Sequence, residues 1–194
     1  NKYHYVIDLG NDCIKHMIFD FNKKELVETK QTKLCSCSGP RHIVFNPDNY
    51  FAYIVNELVS SVSVFYYNND SFKLIQNIST LPKNYDNMLQ NINNSWKAKN
   101  HASEIRIYKN ELYISNRGHD SVVIFQINND GKLYNPFWLM TEGETPRNFN
   151  FNNNLLLVCN QNSNSCCLFD LTKRKKINSV ELGSPNYVIP FNIL

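Results

Sequence analysis

Arg41, Glu57 and Arg117 are the residues of this sequence best suited to chemistry. A guanidinium fork binds a carboxylate, a phosphate or a developing oxyanion at two points. A carboxylate beside two such forks suits anchoring them better than acting as a strong base. His101, Glu104, His119 and Arg147 supply further groups able to hold a polar, anionic substrate. Structural ion pairing among Arg41, Glu57 and Arg117 would use the same side chains, so residue type alone leaves both readings open.

Whether these groups meet depends on the elements that carry them, and those elements repeat. Val6-Ile7-Asp8-Leu9 leads to Ile14-Lys15-His16-Met17, and Ile54-Val55-Asn56-Glu57 to Val62-Ser63-Val64-Phe65. Ile114-Ser115-Asn116-Arg117 leads to Val122-Val123-Ile124-Phe125, and Val158-Cys159-Asn160-Gln161 to Cys166-Cys167-Leu168-Phe169. Each is an apolar strand ending in Asn or Asp, a short polar turn, and a second apolar strand. The markers at 8, 56, 116 and 160 lie 48, 60 and 44 residues apart. Such intervals predict an all-β propeller of four-stranded antiparallel blades, with one insertion in the longest interval.

With strands lettered A to D outward from the channel, whole blades are expected over 40–82, 101–142 and 146–183. Residues 3–39 supply an incomplete blade without strand A, and 185–191 an isolated closing strand A. The polar, Asn-rich stretch 83–100, with Trp96, reads as an inserted loop with a turn of helix around Tyr85 to Gln90. About four blades cannot close a ring without open sheet edges. The chain is therefore expected to be the C-terminal portion of a longer protein, preceded by roughly 130–150 residues if about three blades of about 45 are absent.

Antiparallel succession puts the start of every strand A on the same face as the end of every strand B. Arg41, His101, Glu104 and Arg147 from the A starts then share a rim with Glu57 and Arg117 from the B ends. Asn56, Asn116 and Asn160 recur too evenly for catalysis and read as hydrogen bonders of the blade turns, as does Asp8. His119 reads first as a turn residue bonded to Asp120, with substrate binding as the alternative. Strand alternation lets only one of Arg41 and His42 face the channel; Arg41 is expected there and His42 between sheets. His4 and His16 read as structural.

Composition sets the outer limits. The 194 residues, with 12 Phe and 11 Tyr, suit a packed β domain. A net charge of +3 is mild, and Lys173-Arg174-Lys175-Lys176 reads as a solvated hairpin turn, so no nucleic-acid partner is expected. No stretch has the length to cross a bilayer and the N-terminus shows no signal-peptide pattern, so no membrane partner and a cytoplasmic location are expected. The six cysteines lack zinc spacing, and no metal or organic cofactor is expected. Cys35 and Cys37 read as neighbours on one strand face, and the set as buried, reduced thiols.

An ordered series of phrases adds a family resemblance: Asp8-Leu9-Gly10, Gly39-Pro40-Arg41-His42, Phe45-Asn46-Pro47-Asp48, Ala52-Tyr53 and Asn56-Glu57. Further on come Ile78-Ser79-Thr80-Leu81-Pro82, Glu104-Ile105, Ser115-Asn116-Arg117-Gly118-His119-Asp120-Ser121, Thr145-Pro146-Arg147 and Asn160-Gln161. Together they resemble the lactonase family of seven-bladed propellers, which includes bacterial-type 6-phosphogluconolactonases. The resemblance implies hydrolysis of a phosphorylated sugar lactone, 6-phosphogluconolactone above all, in the pentose phosphate route. It carries the family's channel arginines to Arg41 and Arg117 and its glutamate to Glu57. A family histidine on the preceding strand A would fall before Asn1. A carboxymuconate-cyclase-like enzyme and a non-catalytic propeller binding a ligand or protein at its rim are the alternatives. Ser103, and Asn148 after Pro146-Arg147, depart from the family pattern.

Overall fold

Apolar runs such as Phe51-Ala52-Tyr53-Ile54-Val55 have no polar face, so a strand made of them needs cover on both sides. The structure, a computed structural model, describes residues 3–47, 50–68, 70–85 and 100–190. The first sheet holds β1 (His4–Asp8), β2 (Cys13–Asp20) and β3 (Glu25–Lys33). The second holds β4 (Pro40–Phe45), β5 (Phe51–Asn56), β6 (Ser61–Asn68) and β7 (Ser71–Ser79). In the third are β8 (His101–Tyr108), β9 (Glu111–Arg117), β10 (Ser121–Ile127) and β11 (Leu133–Met140). The fourth comprises β12 (Pro146–Asn152), β13 (Leu155–Asn160), β14 (Ser165–Asp170) and β15 (Lys175–Glu181). Every sheet is an antiparallel meander, as propeller blades are.

Blade packing explains the uniform apolarity. On β5, Ala52 and Ile54 pack with Ile14 of the first sheet and Phe65. Tyr53 and Val55, pointing the other way, pack with Ala102, Ile105, Leu112 and Ile114 of the third sheet. One blade on, Tyr113 meets Phe149, Leu156 and Val158 of the fourth. Each Val, Leu, Ile or Phe side chain so buried stabilises the fold by about 1.5–3 kcal/mol.

Polar groups tie the blades at their ends. Asn116 accepts from Thr80 Oγ1 (2.7 Å) and donates to Thr80 O (3.0 Å), joining the end of one blade to strand B of the next. Asn160 donates to Thr141 O at 3.2 Å in the same way. Near the first blade, Asp70 of the β6–β7 turn takes His16 Nδ1 at 2.5 Å, Tyr5 Oη at 3.1 Å and Lys30 Nζ at 3.4 Å. Burial pushes the Asp70 carboxyl up, and His16, Tyr5 and Lys30 together outweigh it, holding the group below its usual range.

The structure departs from expectation in two places. Residues 185–190 form no strand; Asn148 Oδ1 accepts from Val188 N (3.0 Å) and Asn150 Nδ2 donates to Val188 O (3.2 Å). Two side chains of β12 thus hold this segment where no backbone ladder forms. Cys35 and Cys37 lie outside any strand and are exposed, with Cys37 at φ 61° in a turn anchored on the Asp12 carboxylate. The inserted loop over 83–100 lies largely outside the described residues, Trp96 included. Among the described residues no helix is long and apolar enough to cross a membrane.

Candidate active site

Strand A begins in the same irregular way in three blades. The β4–β5 register slips between Pro40 and His42, β8–β9 between Ala102 and Ile105, and β12–β13 between Pro146 and Asn148. Each slip is a β-bulge, which inserts a residue and re-aims the side chains beside it. Arg41, Ser103 and Arg147 occupy equivalent bulge positions, followed by His42, Glu104 and Asn148. Pro40 and Pro146 suit the site because a bulge tolerates a missing N–H.

The B-strand ends supply the rest. Glu57 N donates to Gly39 O at 2.7 Å, holding Glu57 at the rim beside the entry to β4. Arg117 ends β9, where Gly118, at φ 123°, makes a turn closed to other residues.

The three residues meet. Glu57 Oε1 lies 2.8 Å from Arg117 Nη2 and Glu57 Oε2 lies 3.4 Å from Arg41 Nε, so each carboxylate oxygen serves one arginine. Carbonyls of the third sheet brace both: Arg41 Nη1 donates to Ser103 O (3.0 Å) and Arg117 Nε to His101 O (3.3 Å). Arg117 Nη2 is buried against the Glu57 carboxylate. Burial, then the charge of Arg117 and more weakly that of Arg147, lowers the Arg41 pKa against the pull of Glu57 and Glu104. Positive charge is thus crowded here, and an anionic ligand would relieve it.

The remaining candidates divide. His101 stands opposite Arg117 in register and shares its face, with a buried Nδ1 that has no hydrogen-bond partner among the described residues. Arg147 lies close enough for its charge to act on Arg41, and its carbonyl accepts from Ser103 Oγ at 2.8 Å. Glu104 sits on the channel wall, taking Asn148 Nδ2 at 2.6 Å and Arg106 Nη2 at 3.3 Å. Burial raises its pKa against Arg106, Asn148 and Arg41. His119 does not join the arginine–glutamate group. Nor is it bonded to Asp120: its Nδ1 meets Ser121 Oγ at 2.7 Å and its ring lies edge-on to Tyr85. The Asp120 carboxylate instead accepts from Gly118 N (3.1 Å) and Thr145 N (2.9 Å).

His42 is the correction of most consequence. The bulge at Arg41 breaks the two-residue alternation that would have sent His42 between sheets. His42 lines a channel-side cavity of about 770 Å³ with Glu104 and Arg106. Arg41 Nη1 is 3.0 and 2.9 Å from its two ring nitrogens, near-equal distances that put the guanidinium over the imidazole face. The paired prolines at the A starts were the signal for these bulges. Among the described residues no group of three or more His, Cys, Asp or Glu could hold a metal ion.

Residues 1–188 match the family described as "Lactonase, 7-bladed beta-propeller". An uncharacterised protein of Lactococcus lactis subsp. cremoris is 37% identical over 159 residues, 78% of this chain and 43% of the relative. A periplasmic gluconolactonase of Pseudomonas aeruginosa superposes with a TM-score of 0.80 at 26% identity, over 96% of this chain and 53% of that one. A Bacteroides fragilis protein, provisionally named a 6-phosphogluconolactonase, superposes with a TM-score of 0.75 at 26% identity, over 95% and 53%. The chain spans about half the length of the relatives it matches.

Proposed function

The chain belongs to the seven-bladed β-propeller lactonase family, and on that premise we propose that the whole protein hydrolyses a phosphorylated sugar lactone, 6-phosphogluconolactone first among them. One observation carries this reading: Glu57 holds Arg41 and Arg117 side by side at the channel mouth. Lactone hydrolysis places negative charge on the carbonyl oxygen as water adds. Arg117 receives that oxyanion, and one such donor lowers the barrier by about 3–4 kcal/mol. Arg147 and His101 receive the sugar's phosphate and hydroxyls. Glu57, with an oxygen on each arginine, acts as their anchor. The reading includes a cytoplasmic location, since a charged phosphosugar does not cross a bilayer unaided.

The experiment is hydrolysis of 6-phosphogluconolactone and of unphosphorylated gluconolactone by the full-length protein, measured against the spontaneous rates. Excess hydrolysis that favours the phosphorylated lactone, and that Arg117→Ala removes without loss of folding, supports the reading. Spontaneous rates alone for both lactones overturn it in favour of a rim that only binds. A preference for gluconolactone overturns the phosphosugar assignment.

A further inference from the structure

We propose that His42 is the general base that activates the hydrolytic water, with Glu104 as the residue that positions it; this rests on the lactone-hydrolase reading above.

Among the described residues, several other acid–base groups at this end of the channel are engaged, and the unpartnered Nδ1 of His101 is buried. Both Glu57 oxygens face arginines. The Asp120 carboxylate holds two backbone N–H groups, and His119 is bonded to Ser121. His42 differs, because it lies on the cavity wall beside Glu104 and Arg106. Its orientation is also fixed. Arg41 covers one ring face, and Glu104 Oε2 stands 3.6 Å from Nδ1. At 3.6 Å the carboxylate is beyond hydrogen-bond reach, but its charge beside Nδ1 favours the tautomer with the proton there, leaving the Nε2 lone pair to accept another. Glu104 is itself held by Asn148 and Arg106.

The step balances without a further reactant. Nε2 takes a proton from water as the water oxygen bonds to the lactone carbonyl carbon. The resulting oxyanion lies against Arg117 and Arg41. Its collapse breaks the ring carbon–oxygen bond, and the imidazolium returns its proton to the leaving ring oxygen, giving a hydroxy acid. Burial, then Arg41 and Arg106, lowers the His42 pKa to about 4 against the pull of Glu57. The resting imidazole is therefore neutral at neutral pH, as a base must be. A negative charge growing beside Arg41 offsets the cations that depress it, so basicity rises as the oxyanion forms.

The test uses the full-length protein with 6-phosphogluconolactone. His42→Gln is expected to lower kcat on the order of 10²- to 10⁴-fold with little change in KM. The wild-type rate is expected to fall only as pH drops toward the His42 pKa. Charged groups facing His42 are Arg41 on its own strand, Glu57 beyond β5, and Glu104 and Arg106 on β8. Arg106→Ala removes one cation, so the acid limb should move to higher pH; Glu104→Gln should move it as well. If Arg117→Ala abolishes hydrolysis while His42→Gln and His42→Asn keep kcat within about twofold of wild type, far short of a general base's contribution, the base assignment is wrong and the lactonase reading stands. An acid limb unmoved by Arg106→Ala also overturns it, even if the His42 variants misfold. If the wild-type protein shows no hydrolysis above the spontaneous rate, the underlying reading fails and the base assignment fails with it.

Discussion

Glu57 Oε1 and Arg117 Nη2 meet at 2.8 Å across the junction of two neighbouring sheets. Neither the second nor the third blade holds the pair alone, so blade packing assembles it. The contact is partly buried, with side-chain exposures of 13% for Arg117 and 21% for Glu57. Arg117→Lys keeps the charge and loses the planar fork, so it should not restore a two-point grip on an oxyanion. A loss in kcat/KM of about 10²–10³ is expected for Arg117→Ala, and most of that loss for Arg117→Lys. Lysine kinetics close to wild type would mean that charge alone suffices.

Asp70 predicts a pH dependence of stability. His16, Tyr5, Lys30 and Asp70 link the first sheet to the second, and the Asp70 carboxyl titrates below its usual range once folded. A depressed folded pKa means stability that is present above the unfolded value of about 3.9 and is lost as pH falls through the folded one. The melting temperature of the wild-type protein should therefore drop more steeply below pH 4 than that of Asp70→Asn. At neutral pH, Asp70→Ala should cost about 3 kcal/mol, since it leaves the buried Nδ1 of His16 without its partner. Parallel acid limbs for wild type and Asp70→Asn would remove the clamp from the account.

The second blade's middle strand gives a prediction about packing alone. Ile54 is fully buried on the face toward the first sheet, and Val55 on the face toward the third. Ile54→Ala should destabilise by about 2–5 kcal/mol and Val55→Thr by less, with activity at low temperature unchanged in both. Denaturant unfolding measures the first effect. A cost below about 1 kcal/mol would mean that the sheet relaxes to fill the gap.

These cases show what the sequence disclosed and what it concealed. Strand repetition was legible because each blade buries both faces, which writes an apolar run followed by Asn at every B strand. Arg41, Glu57 and Arg117 were legible because they vary at fixed places in that repeat. His42 was not, since alternation holds only in an unbroken ladder and the bulge lies at Arg41 itself. His119 was misread because Ser121, two residues on and thus on the same side of the turn, outcompetes Asp120 for its ring. The isolated inner strand expected after residue 184 makes no ladder among the described residues, where Asn148 and Asn150 side chains meet Val188 instead.

Asn148 offers the most discriminating substitution on the channel wall. Its Nδ2 donates to Glu104 Oε2 at 2.6 Å and its Oδ1 accepts from Val188 N at 3.0 Å. Asn148→Asp preserves the shape and the bond to Val188 while replacing the donor with a second carboxylate. Two carboxylates that close cannot both ionise without penalty, so one takes up a proton at higher pH than usual. A carboxyl whose folded pKa is raised contributes its stability below the unfolded value, near 4, and loses it as pH climbs through the folded value. The variant should melt near the wild-type temperature at pH 4 and progressively below it toward pH 8. A melting-temperature gap that is constant across that range would show that Glu104 does not feel position 148 as a charge. Asn148→Ala, which removes both bonds without adding charge, should instead lower the melting temperature by a similar amount at every pH.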